Sequence, residues 1–233
     1  MNDVPAQDRA DHPLWRRLRT APQLYDACRA GSLLADFLAM PGGAELPQSL
    51  ANEPGVRALL LALADHSPFL WRLATANAFR LKRCLETSPT TCLAACLATL
   101  EETCGQASSE AAIMRALRLA KQETALLVAL ADLGGVFDVI AATEALSRAA
   151  DVFISVALRF LLRDAARADR LRLSDGANPE QGCGLVILAL GKLGARELNY
   201  SSDVDIVVFF DPNCASIART VEPATFFAGI TKG

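Results

Sequence analysis

From about Ala30 to Arg170 apolar residues recur three and four positions apart in a texture of alanine, leucine and arginine. That is the period of helices that pack one face and wet the other. The pattern predicts helices near 31–40, 55–66, 68–86, 90–104, 109–133 and 141–168. Pro54-Gly55 and Ser67-Pro68 fit helix starts, because proline in the first turn gives up an N–H that has no partner there. Pro41-Gly42-Gly43 and Gly134-Gly135 fit breaks between helices. In the segment 109–133, Ile113, Leu117, Ala120, Thr124, Leu127 and Leu130 form one stripe. Arg115, Arg118, Lys121 and Gln122 lie largely off it, and their spacing alone assigns them no role beyond a solvated face.

After Arg172 the texture changes. Ser174-Asp175-Gly176-Ala177-Asn178-Pro179 collects turn formers and ends the helical pattern. Residues 185–190 and 204–210 are short apolar runs rich in branched side chains, separated by a glycine-containing turn and room for one or two helical turns. The expectation is a helical region, 1–172, followed by the start of a second domain, 173–233, that reads strand, turn, short helix, strand. Both runs are apolar at nearly every position, as expected of strands covered on both faces in an α/β sheet.

Composition narrows the classes. A net charge of -3 argues against a sequence-wide grip on nucleic acid or an anionic membrane, so any phosphate is met locally. Asp132 and Asp138 interrupt the apolar stretch 125–142, and no run reaches the roughly 20 apolar residues of a membrane span. Met1 to Asp11 carries acids and Pro5 instead of a basic segment before an apolar core, which makes a cytoplasmic protein the expectation. The seven cysteines, Cys28, Cys84, Cys92, Cys96, Cys104, Cys183 and Cys214, include no C-x-x-C pair, and the histidines are His12 and His66. This argues against a zinc site or disulfide framework, and Cys92 and Cys96 read as small buried residues in place of alanine.

The chemistry-bearing stretch is Gly191-Lys192-Leu193-Gly194-Ala195-Arg196-Glu197-Leu198-Asn199-Tyr200-Ser201-Ser202-Asp203-Val204-Asp205. Side chains alternate along a strand, which directs Asp203 and Asp205 to one face at the start of the second run. Two carboxylates held close disfavour ionising together unless a cation lies between them, and oxygen-only donors suit Mg²⁺ with waters and phosphate oxygens. An isolated Asp-x-Asp is often a plain surface strand end. Here the upstream turn at Gly191 and Gly194 offers backbone N–H groups to a phosphate, Ser202 adds a donor, and Lys192 is a candidate countercharge. A tight turn with an exposed lysine is the bland alternative. Glu197 is either a further ligand or an ion-pair partner of Arg196.

Leu190-Gly191 followed by Asp203-Val204-Asp205 resembles the signature of the polymerase-beta-like nucleotidyltransferases, with Lys192 where that superfamily usually has serine or glycine. The fuller wording, Gly191-Lys192-Leu193-Gly194, Arg196-Glu197-Leu198-Asn199 and Ser201-Ser202-Asp203, closely resembles the glutamine synthetase adenylyltransferase family. So does the stretch from Met114-Arg115-Ala116-Leu117-Arg118 through Leu133-Gly134-Gly135 to Leu146-Ser147 and Ala149-Ala150-Asp151.

The resemblance implies an incomplete polymerase-beta-like α/β domain after the helical region, in a Mg²⁺-dependent bifunctional enzyme with ATP, ADP and phosphate as small ligands. Its protein partners are glutamine synthetase and the PII signalling protein. The position of the motif resembles the N-terminal domain, which removes AMP from an adenylylated tyrosine by phosphorolysis to give ADP. Asp203 and Asp205 are then the catalytic metal ligands, and Gly191, Lys192, Gly194 and Ser202 the nucleotide- and phosphate-binding set. The family's third carboxylate has no counterpart before Gly233, so activity is expected of a longer parent and not of these 233 residues alone. Two alternatives stand beside this. One is a non-catalytic module that binds glutamine synthetase or PII; the other is a nucleotidyltransferase with a different acceptor.

Overall fold

The computed structural model describes residues 11–211, 216–218 and 222–232. Cys214, Gly233 and the first ten residues lie outside the described set. The chain divides into two compact units, one formed by residues up to Ala98 with Leu119–Leu146, the other by Thr99–Arg118 with residues from Ser147 onward. The texture change at 172/173 falls inside the second.

The first unit is helical. It contains α1 (Leu14–Arg17), α2 (Ala27–Ala39), a 3-10 helix (Pro41–Glu45), α3 (Gln48–Ala51), α4 (Pro54–His66), α5 (Pro68–Thr75) and α6 (Ala78–Glu86). Parts of α7 (Pro89–Gln106), α8 (Glu110–Leu133) and α9 (Val139–Arg167) complete it. The expected proline starts are present: Pro54 and Pro68 open α4 and α5, and the Ser67 side chain caps α5 by accepting from the Leu70 N–H. The single helix expected over 68–86 is instead two. Asn77 leaves the helical conformation and its side chain accepts from the Arg80 N–H, starting a new helix after Ala76. Leu14, Leu34, Leu59, Leu60, Leu81 and Leu85 are fully or almost fully buried in this unit. Of the stripe on α8, Ile113, Ala120, Thr124, Leu127 and Leu130 are buried and Leu117 is half-buried, while Arg115, Arg118 and Lys121 are exposed. Cys92 and Cys96 are buried as expected.

In the second unit two small antiparallel pairs lie beside the C-terminal part of α9. Strands β1 (Leu171–Arg172) and β4 (Ser216–Ile217) pair, as do β2 (Leu185–Ala189) and β3 (Ile206–Phe210). Between β2 and β3 lies α10 (Gly191–Gly194), and α11 (Pro223–Lys232) closes the described chain. Leu162, Ala165, Leu171, Cys183, Leu185, Phe226, Phe227 and Ile230 form one core, with Ile187 and Val208 packed against it. Phe227 stacks on Phe210 with ring centroids 4.7 Å apart.

The order strand, short helix, strand is as expected, but cover on both faces is not. Leu185 and Ile187 turn toward α9 and α11, whereas Val186, Leu188 and Phe209 are 55%, 47% and 56% exposed. The apolar run reports what each face can pack against; it does not say whether a layer is present on both. No described helix is long and apolar enough to cross a membrane.

Phe227 is 1% exposed and joins the helix layer to the strands. Phe227→Ala should lower the stability of this unit by about 3 to 5 kcal/mol, combining lost transfer energy with the cavity left behind. Urea unfolding followed by circular dichroism measures it, and a loss below about 1 kcal/mol would mean the ring is not part of a packed core.

Candidate functional site

Residues 190–205 form a loop that leaves the end of β2 and returns to the start of β3. Its two ends are clasped by the Leu190 N–H, which donates to the Asp205 carbonyl at 2.8 Å, one step past the last ladder pair, Ala189 with Ile206. Gly191 follows with φ +53°, a left-handed conformation that costs an L residue about 1 to 2 kcal/mol. A Cβ there would sit 3.0 Å from Asp205 Oδ2, so the Asp205 carboxylate lies directly over the missing side chain.

At Gly194 the reason for glycine is different. A Cβ would lie 2.6 Å from the carbonyl oxygen of Ala189, so the single turn of α10 folds back on β2 only because none is present. Leu193, 1% exposed, pins that turn into the interior. With four residues, α10 concentrates little dipole, and any anion binding rests on individual N–H groups more than on a helix field.

The rest of the loop is held from α9. The Leu198 N–H donates to the hydroxyl of Ser147 at 3.3 Å, and Ser147 is wholly buried. The Arg196 guanidinium pairs with Asp151, one helical turn beyond Ser147 on the same face. Arg196 itself has φ +61°, a strained non-glycine position that this ion pair and the neighbouring hydrogen bonds help to hold. Next, Asn199 Oδ1 accepts from the Ser201 N–H at 3.1 Å and from the Ser202 hydroxyl at 2.7 Å, making a tight turn that delivers the chain to Asp203.

The expected site residues therefore separate into groups. Gly191 and Asp205 are brought together. Asp203 and Asp205 are both exposed, on a segment that precedes the ladder proper, since β3 begins at Ile206. Lys192 is exposed on α10. Ser202 directs its hydroxyl hydrogen to Asn199, so its part in the described structure is to shape the turn. Of the two readings of Arg196-Glu197, the geometry gives Arg196 a partner on α9. Ser147 and Asp151 entered the sequence reading only as family-like wording; their spacing of four in a helix was the available signal that both face one neighbour.

Two solvent-facing carboxylates supply hard oxygen donors only, which fits a Mg²⁺-class ion completed by water and phosphate and does not fit a thiophilic metal. Gly191→Ala should destabilise the second unit by about 1 to 2 kcal/mol from the backbone alone. The added methyl should also push on Asp205, so Asp205→Ala made in the same chain should recover part of the loss. A double-mutant cycle of unfolding free energies checks this; strictly additive losses would show that residue 191 and the Asp205 carboxylate do not touch.

Residues 58–232 match the family model for glutamate-ammonia ligase adenylyltransferase. The bifunctional glutamine synthetase adenylyltransferase/adenylyl-removing enzyme of Xanthobacter autotrophicus is 48% identical over 230 residues, 97% of this chain and 23% of that protein. The enzyme of the same description from a Bradyrhizobium species is 48% identical over 221 residues, covering 94% of this chain and 22% of the relative. That of Bradyrhizobium diazoefficiens is 41% identical over 230 residues, with 97% and 23% covered. The chain thus spans less than a quarter of the length of these relatives and corresponds to their N-terminal part. No solved structure matches it. The match over residues 58–232 and the relatives' identity across nearly the whole chain make it a member of the glutamate-ammonia ligase adenylyltransferase family.

Proposed function

We propose that this segment supplies the metal-binding edge of a nucleotidyltransferase site that removes AMP from an adenylylated tyrosine of glutamine synthetase, with inorganic phosphate as acceptor and ADP as product. The observation that carries the reading is the clasp at Gly191 and Asp205, which presents an Asp-x-Asp pair to solvent beside a backbone turn. In this reading β2, α10 and β3 begin a polymerase-beta-like domain spanning 173–233 and continuing in the longer parent, and the apolar face at Val186, Leu188 and Phe209 is covered there. The helical region, 1–172, precedes it.

Asp203 and Asp205 would hold Mg²⁺, which when bound would neutralise the phosphoryl oxygens and stabilise charge as the tyrosine oxygen leaves. Backbone N–H groups at residues 191–193 and the Lys192 ammonium would orient phosphate oxygens, while the Gly194 N–H, donating to the Leu190 carbonyl at 3.0 Å, holds the turn that presents them. Ser202 acts by holding the Asn199 turn that sets the direction of Asp203. The exposed carboxylates leave the approach open to a protein substrate. A cytoplasmic setting, with ATP, ADP and the PII protein as further ligands of the parent, belongs to the same proposal.

In a full-length family member carrying this segment, Asp203→Asn and Asp205→Asn should each reduce phosphate-dependent release of ADP from adenylylated glutamine synthetase on the order of a thousandfold. AMP attachment, assayed in parallel, should stay near the parental rate. Removal at the parental rate in both variants would eliminate these residues as metal ligands and favour a non-catalytic module that binds glutamine synthetase or PII. Loss of attachment with removal intact would assign the site to the opposite reaction.

A further inference from the structure

A second group of metal-ligating side chains lies in the first unit, apart from the loop that carries the aspartates. Cys84 stands in the last turn of α6, Cys92 in the first turn of α7 and Glu123 in the middle of α8. One ligand atom from each lies within 4.8 Å of the other two. All three residues are buried: Cys84 is 0%, Cys92 2% and Glu123 9% exposed.

We infer that Cys84, Cys92 and Glu123 form a buried site for a thiophilic divalent cation of the zinc class. Buried cysteines alone would not require this, since cysteine is at home in a core as a small apolar side chain. Packing accounts for the thiols and an ion pair with Arg83 for the charge of Glu123; what neither requires is that the carboxylate be set among two thiols, within ligand distance of both sulfurs. Around a tetrahedral ion with Zn–S bonds of about 2.3 Å, ligand atoms stand roughly 3.8 Å apart, so the group needs a contraction of at most about 1 Å. Two sulfurs and one oxygen suit zinc and not Mg²⁺, and leave a fourth position for water.

The surroundings favour loading. Arg83 forms an ion pair with Glu123. Two thiolates and one carboxylate carry three negative charges, which one divalent ion and the Arg83 guanidinium balance. Uptake exchanges the two thiol protons for one dication, so the buried region stays neutral before and after. The framework is also set in advance. The short connection from α6 to α7 is tied by the Leu14 N–H, which donates to the Thr87 carbonyl at 3.0 Å, and by buried Ser88, whose hydroxyl donates to Thr91 Oγ1 at 2.8 Å. Cys96 lies one turn further along α7, but its thiol is directed to the Ala120 carbonyl at 3.9 Å, which leaves it outside the set. The site escapes a reading by spacing because its ligands come from three helices and no two of them form a short cysteine pair.

The test uses the 233-residue chain, purified, metal-free and with its thiols reduced, titrated with Co²⁺. One equivalent should bind, giving the sulfur-to-cobalt charge-transfer band and the intense d–d bands of a tetrahedral ion, and Zn²⁺ should bleach both by displacement. Cys84→Ala and Cys92→Ala, each confirmed as folded by circular dichroism, should lose the charge-transfer band. Glu123→Gln should weaken Co²⁺ binding, and Cys96→Ala should leave it unchanged. Absence of a charge-transfer band in the reduced wild-type chain would overturn the inference whether or not the variants fold. So would a band that survives in folded Cys84→Ala and Cys92→Ala, or a readily formed Cys84–Cys92 disulfide in a chain that takes up no metal once reduced.

Discussion

The carboxylate of Asp205 stands 3.0 Å from where any residue but glycine would carry its Cβ at position 191, and the Asp205 carbonyl takes the Leu190 N–H on the same step. One residue therefore closes the loop by its backbone and presents the acid by its side chain. The positive φ of Gly191 turns the chain into α10, and the close approach at Gly194 returns that turn to the end of β2. A larger residue at 191 would both strain the turn and displace the acid, so the local fold and the candidate chemistry rest on the same absent atom.

The loop is long enough to wander between those ends, and what prevents this is α9. Ser147 offers a hydroxyl from a fully buried position to the Leu198 N–H, and Asp151 holds Arg196 from one turn further on. A buried hydroxyl paired with a loop amide is costly to lose because it leaves both groups unsatisfied. The ion pair is half exposed, so most of its value is in direction and little in stability. Stretches about fifty residues apart in sequence thus meet at one loop.

Much of this was legible in the residues. Helical periodicity located the long helices, proline and serine marked the starts of α4 and α5, and glycine spacing with Asp-x-Asp picked out the loop. The break at Asn77 was not visible, because a capping side chain competes with a helical pattern that continues on both sides of it. The apolar runs gave β2 and β3, yet neither their antiparallel pairing nor the open face at Val186, Leu188 and Phe209 follows from hydrophobicity alone. Ser202 was read as a ligand donor from its place beside Asp203; that its hydroxyl closes the Asn199 turn depends on loop geometry and was not visible in the sequence. Ser147, Asp151 and the group at Cys84, Cys92 and Glu123 depend on contacts between distant segments, which no local spacing records.

The central claim is that α9 holds the loop that presents Asp203 and Asp205, and amide hydrogen exchange at Leu198 tests it most directly. In Ser147→Ala that amide loses its acceptor, and at about 1 kcal/mol for the bond its exchange should quicken about fivefold. The amides of the β2–β3 ladder should keep their wild-type rates. An unchanged Leu198 rate in the folded variant would contradict the account, as it would mean that the loop keeps its form without α9.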